Sequence, residues 1–153
     1  MKWTRPQQRV YGACGTSDGK RDVAMKASCL CGGVAYEITG PIQRSRYCHC
    51  SHCRKFSGTA HAAWGLVQAA HLAVKHSSAG LGKYNSGNGL RVFCSNCGSP
   101  LWYEPTDLPQ FRGIPLGVID DDGVPEPQMH VWTQSRVDWE SISDALPQFS
   151  RQP

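Results

Sequence analysis

The segment Cys48-His49-Cys50-Ser51-His52-Cys53 places three thiols within six residues. A disulfide framework has no need of that crowding. The spacing C-x-C-x-x-C lets three sulfurs converge on one tetrahedral ion while the chain turns around it. Zinc fits best, because it accepts thiolates at about 2.3 Å and tolerates any tetrahedral arrangement. Three protein ligands leave a fourth corner free, which separates zinc sites that do chemistry from those that only hold a fold.

The other cysteines extend this reading. The chain has eight. Cys14 stands alone and reads as a spare thiol. Seven remain in three groups: Cys29/Cys31, Cys48/Cys50/Cys53 and Cys94/Cys97. Seven divides naturally into four plus three. Cys29, Cys31, Cys94 and Cys97 make a closed, structural four-thiolate set, and Cys48, Cys50 and Cys53 an open one. Two zinc ions per chain follow from that division. Other divisions stand open, such as His49 or His52 supplying a fourth ligand to the trio. Clustered cysteines without an apolar secretory region at the N-terminus favour reduced thiols holding metal in a cytoplasmic protein. No apolar run approaches the ~18 residues a transmembrane helix needs.

Charge argues against a nucleic-acid partner. The net charge is +4, but residues 1–25 carry five Lys/Arg against two Asp, or +3, which leaves only +1 for the remainder. Residues 1–25 show no strand or helix period and read as a disordered leader or non-native extension. Residues 26–149 read as one zinc-binding β-domain and 150–153 as a tail. Short strands are expected around Val34–Ile38, Arg46–Cys48, Ala62–Val67, Leu72–Lys75, Tyr84, Leu90–Phe93, Leu101–Glu104, Pro115–Ile119 and Gln128–Trp132. Gly, Pro and Asn punctuate them, which is an all-β pattern. Cys94-Ser95-Asn96-Cys97-Gly98 reads as a zinc knuckle, with Gly taking the backbone angle the turn requires. Asp120-Asp121-Asp122-Gly123 reads as a polar turn. Trp64, Trp102, Trp132 and Trp139 read as core ahead of pocket wall. Val137–Leu146 is expected to hold one short helical turn.

Three ordered motifs carry a family resemblance. Cys29-Leu30-Cys31-Gly32-Gly33-Val34-Ala35-Tyr36-Glu37, Cys48-His49-Cys50-Ser51-His52-Cys53-Arg54-Lys55 and Arg91-Val92-Phe93-Cys94-Ser95-Asn96-Cys97-Gly98-Ser99-Pro100-Leu101 resemble the glutathione-dependent formaldehyde-activating enzyme family, which also includes centromere protein V. The likeness runs from about residue 26 to about 149, with Trp139 and Leu146-Pro147-Gln148-Phe149 at its close. It implies a β-tent fold of packed antiparallel sheets with zinc-knuckle loops. It also implies the same four-plus-three division of zinc ligands. The implied activity is that of a carbon–sulfur lyase that joins formaldehyde to glutathione as S-hydroxymethylglutathione, or cleaves it.

The residues fit that chemistry. A free thiol is only a few per cent thiolate at neutral pH, and an open zinc position raises that fraction. Three thiolates leave the zinc complex net negative, a poor Lewis acid toward a carbonyl but a good seat for a thiol. Arg54 and Lys55 follow the last ligand and are candidates for holding a carboxylate of a glutathione-like substrate. His49 and His52 are candidates for proton transfer to the forming alkoxide. His61 reads as an ordinary strand histidine, and His71, His76 and His130 give no signal. The partners are then a small thiol such as glutathione and an aldehyde. The alternative is a zinc-stabilised module that binds a protein or nucleic acid without catalysis.

Overall fold

The computed structural model describes residues 24–153. The leader assigned to residues 1–25, with Cys14, therefore lies almost wholly outside the described residues. The described chain is all-β and builds two sheets. The small sheet has the order β1-β2-β5, from Met25–Ser28, Val34–Ile38 and Leu72–Ser77. The large sheet adds β3 (Gln43–Cys48), β4 (Ala62–Gln68), β6 (Leu81–Asn85), β7 (Gly89–Cys94), β8 (Pro100–Pro105), β9 (Phe111–Pro115) and β10 (His130–Val131). Its order is β10-β3-β4-β9-β8-β7-β6. All pairings are antiparallel except β10 with β3.

Period-two alternation sets what faces what. In β2, Val34, Tyr36 and Ile38 are buried and the residues between them are not. Those three meet Val67, Val92, Leu101 and Ile114 of the large sheet in the main core. Burying apolar surface between the layers is the principal favourable term here. A smaller second core gathers Cys48, Ala62, Trp64 and Val131, with Phe56, Tyr103 and Phe149 packed against it.

Three expectations need correction. The strand assigned to Pro115–Ile119 lies earlier, at Phe111–Pro115, and Leu116–Val118 is a 3-10 turn. In place of a helical element, Val137–Leu146 holds one hydrogen-bonded turn, with Glu140 N donating to Val137 O at 3.3 Å; a 3-10 turn nearby is Thr133–Ser135. Trp139 is 74% exposed rather than core. One short helix, α1 (Ser51–Ser57), starts inside the central cysteine segment. Gly58 ends it at φ +67°, its N–H donating to Arg54 O at 2.8 Å. The Asp turn ties to the small sheet as a polar turn: Asp121 Oδ2 accepts from Lys26 N at 2.6 Å and Asp120 Oδ1 from the Ser28 hydroxyl at 3.0 Å. No helix among the described residues is long and apolar enough to cross a membrane.

Candidate functional site

The first sulfur cluster joins the two sheets. Cys29 and Cys31 sit in the turn between β1 and β2; Cys94 ends β7, and Cys97 lies in the turn before β8. The four sulfurs lie within 4.8 Å of one another. Cys29 Sγ is 3.5 Å from Cys31 Sγ, which is 3.8 Å from Cys94 Sγ. Disulfide sulfurs would lie at about 2.05 Å. A tetrahedron with arms of about 2.3 Å has edges of about 3.8 Å. The four are therefore spaced as ligands of one ion. Val34 N donates to Cys29 Sγ at 3.2 Å. A hydrogen bond from the Ser99 hydroxyl brings Cys97 down to about 5. Gly98 takes φ +74°, a left-handed angle that side-chain-bearing residues rarely adopt.

The second cluster is built by a strand end and a helix start. Cys48 closes β3, Cys50 caps α1 and Cys53 lies in its first turn. The Cys53 N–H donates to Cys50 Sγ at 3.4 Å. One helical turn brings positions three apart to the same side, so this cap places two of the three sulfurs together. All three lie within 4.8 Å of one another, and no histidine or carboxylate joins them among the described residues. The three sulfurs share protons. Hydrogen bonds with Cys48 and then Cys53 hold the Cys50 thiol far below its ordinary range, while the bond with Cys50 pushes Cys48 up to about 11. Cys53 is pushed far up by Cys48 and Cys50. Only one of the three carries charge readily, so a cation is what would let all three ionise together.

A cavity of about 240 Å³ opens beside the trio. Cys48, Cys50 and Cys53 line it, with Trp64, Tyr103 and Trp132 as aromatic wall. Its cations are Arg44, Arg46 and Arg91, and its one carboxylate is Asp107. Arg44 and Trp132 are the non-glycine residues at positive φ among those described, at +50° and +59°. Such angles cost energy and gather at functional clefts. Gln152, in the stretch assigned as tail, also lines the cavity.

The four other candidate residues sit elsewhere. His49 is fully buried and turned away from the cavity into a chain of contacts. Its Nε2 lies 2.9 Å from His130 Nδ1, and His130 Nε2 lies 3.0 Å from Asp144 Oδ2. The carboxylate accepts, so His130 Nε2–H donates and His130 Nδ1 accepts from His49 Nε2–H. Burial, with His61 and His130 adding, holds His49 down to about 4, so it is neutral near pH 7. His52 is exposed on α1. The Arg54 Nε–H donates to the His49 carbonyl at 3.2 Å, and Lys55 is exposed. None of these four lines the cavity. The helix turns residues 52, 54 and 55 away from the face that presents Cys53. Arg44, Arg46, Arg91 and His130 carry no local signal in sequence: none is spaced like a ligand, and their shared placement comes from strand pairing.

The described chain is an all-β domain with two cysteine groups, one of four sulfurs and one of three beside a cavity, each of which could hold a metal ion. The chain belongs to the glutathione-dependent formaldehyde-activating enzyme family, whose model matches residues 24–135. A Halomonas elongata protein named "Putative glutathione-dependent formaldehyde-activating enzyme" is 30% identical over 127 residues, covering 77% of this chain and 80% of that protein. A crystal structure of a Rhodobacter sphaeroides protein shares the fold, with a TM-score of 0.54 and 24% identity over 65% of this chain and 91% of its own. The family match stops short of residues 136–149, yet these pack onto the domain. Phe149 joins the second core, and its N–H donates to His130 O at 2.9 Å.

Proposed function

We propose that this chain is a zinc-dependent carbon–sulfur lyase that forms or cleaves a thiol–aldehyde adduct of the S-hydroxymethylglutathione type. The observation that carries the reading is the pairing of an incomplete ligand set with a cavity: three sulfurs, no fourth side chain, and open space on their accessible side. A zinc ion held by Cys48, Cys50 and Cys53 would supply a free position for a substrate thiol and lower its pKa. In the addition, the thiol sulfur bonds to the aldehyde carbon and the thiol proton ends on the aldehyde oxygen. Trp64, Leu66, Tyr103 and Trp132 give that reaction walls that limit water. A low-water site strengthens every charge interaction made inside it. Cys29, Cys31, Cys94 and Cys97 would hold a second, structural zinc. The seven free thiols among the described residues suit a reducing compartment, and we place the protein in the cytoplasm.

The test is a metal count joined to a turnover assay with glutathione and formaldehyde. The wild-type chain is expected to hold two zinc ions and Cys50→Ser one. Turnover is expected to fall at least a hundredfold in the variant, about 2.7 kcal/mol of barrier. Equal turnover in the two proteins would end the reading.

A further inference from the structure

Three arginines line the cavity, and among the described residues no ion pair holds any of them. Arg91 is only 4% exposed. Its guanidinium lies over the Phe56 ring at 5.2 Å and over the Tyr103 ring at 5.0 Å. Aromatic faces attract a guanidinium without neutralising it and without using its N–H donors. Among the described residues, no carboxylate stands within ion-pair distance of Arg44, Arg46 or Arg91. Arg46 is half-buried. A buried, unpaired cation is costly to keep.

One explanation is that the arginines offset the thiolates. Three thiolates around one divalent ion leave one negative charge, and Asp107 supplies another. Against these stand three guanidinium groups, and a substrate thiolate on the ion would balance the third, so the count does not separate this explanation from the binding of an anion, and the setting of each arginine must. Arg91 is the most buried of the three, and its guanidinium lies over two aromatic rings.

Resting on the lyase reading, we infer that this cavity selects thiols that carry a carboxylate, and that Arg91, supported by Arg46, is the anion-binding residue. A guanidinium fixed between two rings offers its N–H edge as a fork, which matches the two oxygens of a carboxylate. The sulfur cluster and Arg91 then hold the two ends of one small substrate. Lysine would supply the charge but neither the fork nor the stacking.

The probes are 3-mercaptopropionate and its methyl ester, which share a thiol and a chain length and differ in charge. Binding to the zinc-loaded protein is followed by intrinsic tryptophan fluorescence, since Trp64 and Trp132 line the cavity. The acid is expected to bind at least tenfold more tightly than the ester. Arg91→Met is expected to bring the acid to the level of the ester and leave the ester within twofold. Arg46→Gln is expected to narrow the gap by a smaller factor, and it decides the matter if circular dichroism shows Arg91→Met misfolded. Equal binding of acid and ester to the wild type, or an equal loss of both in the variants, would overturn the inference. Failure of the lyase reading looks different. In that case no adduct with formaldehyde accumulates from either thiol, while the preference for acid over ester is still read by binding.

Discussion

Tyr36 carries a hydroxyl into the apolar layer between the sheets, and that hydroxyl donates to Leu101 O at 2.8 Å. Burial pushes its pKa up, so it stays a donor throughout the useful pH range. Its ring meets Trp102 edge-on at 5.6 Å between centroids. Tyr36→Phe keeps the packing and removes the bond, so urea unfolding is expected to show a loss of about 1–3 kcal/mol. Asp144 is a second test at this scale. The Leu146 N–H, then His130, hold its carboxyl below the usual range. A depressed carboxylate contributes stability above its ordinary pKa, and that stability is lost as pH falls through the lower folded value. The advantage of wild type over Asp144→Asn is therefore expected at neutral pH and should vanish in urea titrations taken well below pH 4. A gap that persisted in acid would show that the charge is not its source. The sulfurs were legible in sequence because ligand spacing is local. His130 and Arg91 were not, since each acquires its partners only through the fold.

At the scale of elements, α1 matters beyond its seven residues, because its first turn seats Cys50 and Cys53. Gly58 closes the helix in the left-handed region, and a Cβ there would meet nothing within 4 Å. Backbone angle alone therefore sets the cost of Gly58→Ala, expected at about 1 kcal/mol in thermal unfolding. A much larger loss would mean that the cap also holds the sulfur geometry. The helix was hidden in sequence because it has no buried face and so no apolar period. The strand Phe111–Pro115 contains Gly113 and Pro115, which disfavour strands, while the apolar residues from Leu116 to Ile119 drew the expected strand past it. Pairing with β4 overrides that signal, with Gly113 opposite Leu66 and Pro115 opposite Trp64. The two-residue parallel contact of β10 with β3 is too short to leave any pattern. The alternating strand that follows the Cys29–Cys31 turn was legible, and it runs Val34–Ile38.

Across the whole molecule the two sulfur clusters do different mechanical work. The four-sulfur set links the β1–β2 turn of the small sheet to the β7–β8 turn of the large one, joining residues 63 apart in sequence at Cys31 and Cys94. The trio spans only Cys48 to Cys53 and stays within one strand end and one helix start. A cross-link that closes a long stretch of chain between two layers restricts the unfolded state far more than one closing six residues. Metal bound at the first set would therefore contribute folding energy to the joint between the sheets. Cys97→Ser is expected to cost about 5 kcal/mol, which at this size lowers the melting temperature by about 10–20 °C. Cys50→Ser, which removes a sulfur of the short-range set, is expected to lower it by less than half as much. Differential scanning calorimetry of both variants against wild type, each with its zinc content measured, makes the comparison. Equal shifts, or a larger one for Cys50→Ser, would show that the sheets are held by their apolar interface alone and that the four-sulfur set is not their joint.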